Sequence, residues 1–189
     1  MRLLTILYLV LLSPYSYSQQ VIPEIETVTR DGLIYNQDTN EPVTGIVESF
    51  RDNGQLESRG NFKDGEYDGL YEEFYENGEL SERGTYIDGE FDGLFETFHE
   101  NGQLSSRENW IDGERDGLEE NFGQNGQLIR RSNYTDGLQD GLFEMFHKNG
   151  QLQYRGNYTD GVQDGLVEFF DEDGNLTSTE TYRNGELVE

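Results

Sequence analysis

The chain has 189 residues, enough for one domain of ordinary size, and its 39 acidic against 13 basic side chains give a formal net charge of −26. Such a field repels nucleic-acid phosphates and anionic lipid head groups, and it favours partners of opposite sign. Cysteine is absent, which excludes disulfides and thiolate chemistry, while 12 Tyr and 11 Phe are the wrong composition for a disordered chain.

In chain order, Arg2 precedes an apolar run from Leu3 to Leu12, followed by Pro14 and the small residues Ser16 and Ser18. This is the layout of a secretory signal peptide over residues 1–18, too short to remain as a membrane-spanning helix. It predicts an exported protein, periplasmic, in the outer envelope or extracellular. Loss of Arg2 leaves 12 − 39 = −27 on the mature chain. Residues 19–44 read as an N-terminal extension. Within it Asp31-Gly32-Leu33-Ile34-Tyr35 and Pro42-Val43-Thr44-Gly45 look like a degenerate half repeat that caps the array.

Residues 45–189 divide into six tandem copies of 24 residues, starting at Gly45, Gly69, Gly93, Gly117, Gly141 and Gly165. Each copy carries Asn-Gly or Asp-Gly, with glycines at Gly54, Gly78, Gly102, Gly126, Gly150 and Gly174. Short aromatic and Leu-rich runs on both sides of that dipeptide mark a β-hairpin. A second turn, from Asp64-Gly65 to Asn184-Gly185, returns the chain to the next hairpin. No segment has sustained helical periodicity, so the expected fold is all-β. Twelve strands should form an elongated antiparallel meander, a solenoid-like single-layer sheet.

The apolar pattern suggests a register. A three-residue loop, with Glu76 and Asn77 in a type I turn and Gly78 as the bulge, pairs Phe74 with Leu80; a two-residue turn does not. The first form gathers Leu70, Phe74, Leu80 and Tyr86 on one face. The same core falls on Leu94, Phe98, Leu104 and Trp110, on Leu118, Phe122, Leu128 and Tyr134, and on Leu142, Phe146, Leu152 and Tyr158. In this register Arg83 and its equivalents Arg59, Arg107, Arg131 and Arg155 lie on the other, wetter face, beside Tyr71, Phe95 or Phe143. In the alternative register each Arg opposes a Glu directly, as Glu72 with Arg83.

No catalytic constellation emerges. His99 and His147 occupy one slot two copies apart, so their backbones stand roughly 19 Å from each other and share no ion. Turn chemistry explains the Asp residues that precede Gly, the repeated Glu residues fall on the first strand, and no copy has the ligand spacing of a calcium-binding loop. No cofactor or metal site is expected, and six near-equal copies argue against a unique active site.

The units "GLYEEFYENGELSERGTYIDGEFD" and "GLFEMFHKNGQLQYRGNYTDGVQD" resemble MORN repeats, in the variant found in YwqK-type antitoxins of toxin–antitoxin systems. The shared features are the opening Gly, the aromatic pair before Asn-Gly, the following Gly-Gln-Leu and the closing Tyr-x-Asp-Gly. The resemblance spans roughly residues 31 to 189 and implies a repeat fold without catalytic residues. The expected function is an exported, non-enzymatic module or scaffold that binds a protein with a basic surface, neither nucleic acid nor anionic membrane, with self-association through the apolar face possible. The alternatives are an antitoxin or immunity-like protein neutralising a basic toxin, and a calcium-dependent envelope structural protein.

Overall fold

The computed structural model describes residues 20–188, so the signal-peptide reading lies outside the described residues. Two turn types with different chemistry build the repeat. At the Asn-Gly end of the second copy, the Tyr75 amide donates to the Glu79 carbonyl (2.8 Å) and the Gly78 amide to the Tyr75 carbonyl (2.9 Å). These bonds close a three-residue loop with Gly78 at φ +85°, a conformation that penalises a β-carbon. Asn77 Oδ1 also accepts the Glu79 amide at 2.9 Å, which is why Asn leads the turn. At the other end Asp88 (φ 47°) and Gly89 (φ 86°) are both left-handed and form a two-residue hairpin loop between the paired residues Ile87 and Glu90.

Seventeen strands join in one elongated sheet. Glu66–Phe74, which runs from the first copy into the second, pairs with Leu80–Ile87; one period later the equivalent strand is split into Glu90–Phe91 and Gly93–Phe98. Gly93, at φ 106°, sits at that break, so twelve expected strands become more numerous pieces. The substantial strand contacts join neighbours along the array.

The N-terminal residues depart from the expected meander. Val21–Pro23 pairs parallel with Gly45–Phe50, so the sheet is mixed. A parallel neighbour requires a crossover, and a 3-10 turn at Glu24–Glu26 followed by the hairpin Thr27–Arg30 and Leu33–Asn36 supplies it. The hairpin is held by Ile34, whose amide donates to the Gly65 carbonyl at 2.9 Å. Beneath it Ile22, Val43, Val47 and Phe62 form a small buried cluster with Ile34 and Tyr67 packed against it.

The register corrects the sequence reading. Phe74 does pair with Leu80, as the three-residue loop requires, but Glu73 pairs with Glu82, which leaves Ser81 as an extra residue. This second bulge flips every side chain beyond it. Glu72 therefore opposes Arg83 and Leu70 opposes Thr85, while Tyr86 opposes Gly69. Arg83 lies on the face of Leu70, Phe74 and Leu80, and Tyr86 lies on the opposite one. The same shift recurs between Asn121 and Phe122, between Met145 and Phe146, and between Phe169 and Phe170. Trp110, Tyr134 and Tyr158 accordingly leave the predicted face too. Nor is that face a dry core: Leu70, Leu94 and Leu118 are 44%, 43% and 37% exposed.

Candidate functional site

The face that carries Phe74 and Leu80 is a charge ladder. From strand to strand its central row runs Glu48, Arg59, Glu72, Arg83, Glu96, Arg107, Glu120, Arg131, Glu144, Arg155, Glu168, each paired across the sheet with the next. Within this row every Arg reaches forward into the next copy. Arg83 Nε donates to Glu96 Oε2 at 2.6 Å, Arg107 Nε to Glu120 Oε2 at 2.6 Å, and Arg155 Nε to Glu168 Oε2 at 2.8 Å; Arg131 and Glu144 make the same contact. Each of these guanidiniums also lies over the next copy's Phe: Arg83 over Phe98, Arg107 over Phe122, Arg131 over Phe146 and Arg155 over Phe170, at 5.6 to 5.9 Å from the ring centroid. Glu96, Glu120 and Glu144 are buried beneath them. The Arg side chains stay about two-fifths exposed, so water screens part of each ion pair.

A second set of bonds stitches the Asn-Gly edge. Tyr75 Oη donates to the Phe98 carbonyl, and Nε2 of His99 and of His147 meets the carbonyls of Phe122 and Phe170, all 23 residues ahead. A carbonyl only accepts, so both rings carry their proton on Nε2. Sequence reasoning gave these histidines no partner; the structure makes each a strut to the following copy.

The opposite face keeps the backbone register and loses the regularity. Phe62, Tyr67, Tyr71, Tyr86, Phe91, Phe95 and Trp110 form a connected aromatic strip over the first copies, with centroid separations of 4.2 to 6.2 Å. Gly84 makes room for it, since a Cβ there would stand 2.7 Å from Phe95 Cδ2. The middle of the face is charged. Glu108 meets Arg115 at 2.6 Å, Glu119 meets Arg130 and Asn121, and Arg115 lies over Trp110 and Tyr134 at 5.4 and 5.5 Å. Burial pushes the Glu119 carboxyl up, but its bonds to Asn121 and Arg130 outweigh this and hold it below the usual range. Burial raises Glu108, and Arg115 offsets that only in part. Farther along, Phe143, Tyr154, Tyr158 and Phe169 resume an aromatic cluster.

Near the first end of this face two carboxylates oppose each other, Glu73 and Glu82. Their other cross-strand neighbours are Ser58 and Thr97, neither of them charged, and the nearby Arg51 guanidinium is held by Glu57 and the Phe74 carbonyl. Tyr71 Oη donates to Glu73 Oε2 at 3.0 Å. Burial, with the Glu73 charge beside it, pushes the Glu82 carboxyl up. Burial also raises the phenols of Tyr67, Tyr71 and Tyr86, the last to about 12. Sequence reasoning missed Tyr67, Phe91 and the Glu73–Glu82 pair. The signal available was their parity, one residue out of step with the repeated Leu and Phe.

Among the described residues no three His, Asp or Glu side chains converge as a metal site. No helix among them is long and apolar enough to cross a membrane.

No curated protein matches the sequence. Among solved structures, a mutant of S. aureus TarM in complex with fondaparinux, alpha-GlcNAc-glycerol and UDP aligns at TM-score 0.33 and 14% identity, over 61% of this chain and 21% of that one. The GtfA/B complex bound to UDP and GlcNAc aligns at TM-score 0.26 and 12% identity, over 59% of this chain and 22% of that one. The chain therefore spans about a fifth of the length of these proteins. The model of the MORN repeat variant matches residues 43–64, 67–88, 91–112, 115–136, 139–160 and 163–184, more than half of the chain, so the protein belongs to the MORN repeat variant family.

Proposed function

We propose that this protein is an exported, non-enzymatic interaction module whose irregular face binds a partner protein with a basic surface. The observation that carries the reading is the division between the two faces. One repeats the same ladder in copy after copy, which suits stacking, and the other presents a different surface at each copy, which suits recognition of one partner.

Charge supports the choice of partner. Among the described residues, nine Lys and Arg side chains form ion pairs within the chain. Most of the described carboxylates have no such partner, and the surplus negative field steers basic proteins inward. Half-buried rings on the irregular face would supply the short-range part of binding, as aromatics do in interfaces. An antitoxin or immunity-like role is the same binding with a basic toxin as the partner, and the acidic surface suits it equally. Nothing in the arrangement of the described carboxylates favours the calcium-dependent alternative.

The test is capture of the partner from the native envelope fraction, then its association rate measured against salt. The Debye length falls from about 10 Å at 0.1 M to 3 Å at 1 M, so the rate should fall steeply across that range. A salt-independent rate, or a hydrolytic activity lost with a single carboxylate, would overturn the proposal.

A further inference from the structure

The carboxylates of the two faces meet their charge in one recurring way. Glu96, Glu120, Glu144 and Glu168 each take an Arg that also lies over a Phe ring. In the middle of the irregular face, Glu108 and Glu119 share Arg115, which lies over Trp110 and Tyr134. Arg130 also pairs with Glu119, so each of these carboxylates contacts a guanidinium, and Arg83, Arg107, Arg131, Arg155 and Arg115 lie over a ring as well.

Among the described residues no guanidinium pairs with Glu73 or Glu82, although Tyr rings stand beside them. The two carboxylates stand directly opposite each other on adjacent strands, an arrangement that repels. Along each strand the next residue on the same face is Tyr71 or Gly84, with Tyr86 beyond, and Tyr67 stacks on Tyr86 at 4.9 Å. All five of the residues Tyr67, Tyr71, Glu73, Glu82 and Tyr86 are partly exposed. Tyr71 and Tyr86 pack edge to face at 6.2 Å, so they offer rings beside the acids.

We propose that Glu73, Glu82, Tyr71 and Tyr86 form a receptor for an arginine side chain on a segment of the partner protein. The guanidinium would sit between the two carboxylates and lie against the Tyr rings, as Arg115 does between Glu108 and Glu119. Arginine fits better than lysine because its planar fork serves two carboxylates while its face stacks on a ring. The receptor lies at one end of the irregular face, so the rest of the partner would extend toward the Phe91–Phe95–Trp110 strip. This inference rests on the interaction-module reading and adds the chemistry of the recognised side chain.

The probe is a synthetic octapeptide of Gly and Thr with one central Arg, titrated into the full chain by NMR, beside the same peptide carrying citrulline. Citrulline keeps the shape and removes the charge. The Arg peptide should shift the resonances of Tyr71, Glu73, Glu82 and Tyr86, and citrulline should weaken binding about tenfold, the scale of one charge-assisted hydrogen bond. Glu73→Gln and Glu82→Gln should each weaken the Arg peptide by a similar factor without lowering the melting temperature, whereas Glu76→Gln in the adjacent turn should change nothing. Equal binding of both peptides, binding that survives Glu73→Gln and Glu82→Gln, or shifts spread over the acidic turns would overturn the receptor. A captured partner that retains its salt-dependent association with both variants would remove this receptor and leave the module reading intact.

Discussion

Along one face of the sheet, successive strands place Glu72, Arg83, Glu96, Arg107, Glu120, Arg131, Glu144 and Arg155 in an unbroken alternation. One residue away, on the other face of the same strands, stand Tyr71, Gly84, Phe95, Glu108, Glu119, Ser132, Phe143 and Gly156. Backbone and register are shared, so the contrast isolates what stacking of copies requires. It requires the ladder, since each Arg and the Glu and Phe it meets belong to different copies. It does not require any one residue type on the irregular face, where Tyr, Phe, Glu and Val serve in the same slot at 71, 95, 119 and 167. The ladder holds the array together, and the second face is free to differ.

The sharpest break of this contrast is a charge reversal inside the ladder. Glu120 is 8% exposed and lies between Arg107 and Arg131. Glu120→Lys would put three cations in a row and should cost roughly 3–5 kcal/mol by urea denaturation, the scale of a broken buried ion pair. A turn belongs to neither face, and Gly126 holds φ +77° there. Gly126→Val should destabilise by about 1–2 kcal/mol, the left-handed penalty of a β-carbon. A variant that melts with the wild type would refute that backbone assignment.

His99→Ala removes one strut between copies and should cost about 0.5–1.5 kcal/mol, the net value of a hydrogen bond. Gly123 fills the same slot one copy later, so the loss should be tolerated without unfolding. The smallest effect is expected on the irregular face, and with the opposite sign. Glu82→Gln should stabilise by about 0.2–1 kcal/mol at neutral pH, because it removes a like-charge cross-strand pair. The folded-state pKa of Glu82 is raised above 4.5, so its protonated form favours the fold. Its contribution is present below 4.5 and lost as pH rises through the folded value. Wild type and Glu82→Gln should therefore converge in melting temperature as pH is lowered through that window.

The period, the two turn types and the pairing of Phe74 with Leu80 were legible in the sequence because Asn-Gly and Asp-Gly demand particular backbone shapes. The bulge at Ser81 was not. It carries no glycine and no turn signal, and only the cross-strand neutralisation of Glu72 by Arg83 would have disclosed it. Missing that one residue moved Tyr86, Trp110, Tyr134 and Tyr158 to the wrong face, and Arg83 with them. The parallel strand Val21–Pro23 was equally hidden, since its partner is fixed by a crossover and not by any local pattern. The Glu73–Glu82 pair followed from the same slip: in the expected register those two carboxylates never meet.

The most direct test of the account removes residues 93–140, two whole periods, and with them Glu108, Arg115, Glu119 and Arg130. Asp92 would then join Gly141, and Arg83 would meet Glu144 with the ladder unbroken. Circular dichroism and thermal unfolding should show a shorter, cooperative β protein, whereas deletion of 12 residues from one period should unfold the chain. If both deletions unfold it equally, the ladder is not what holds the copies together.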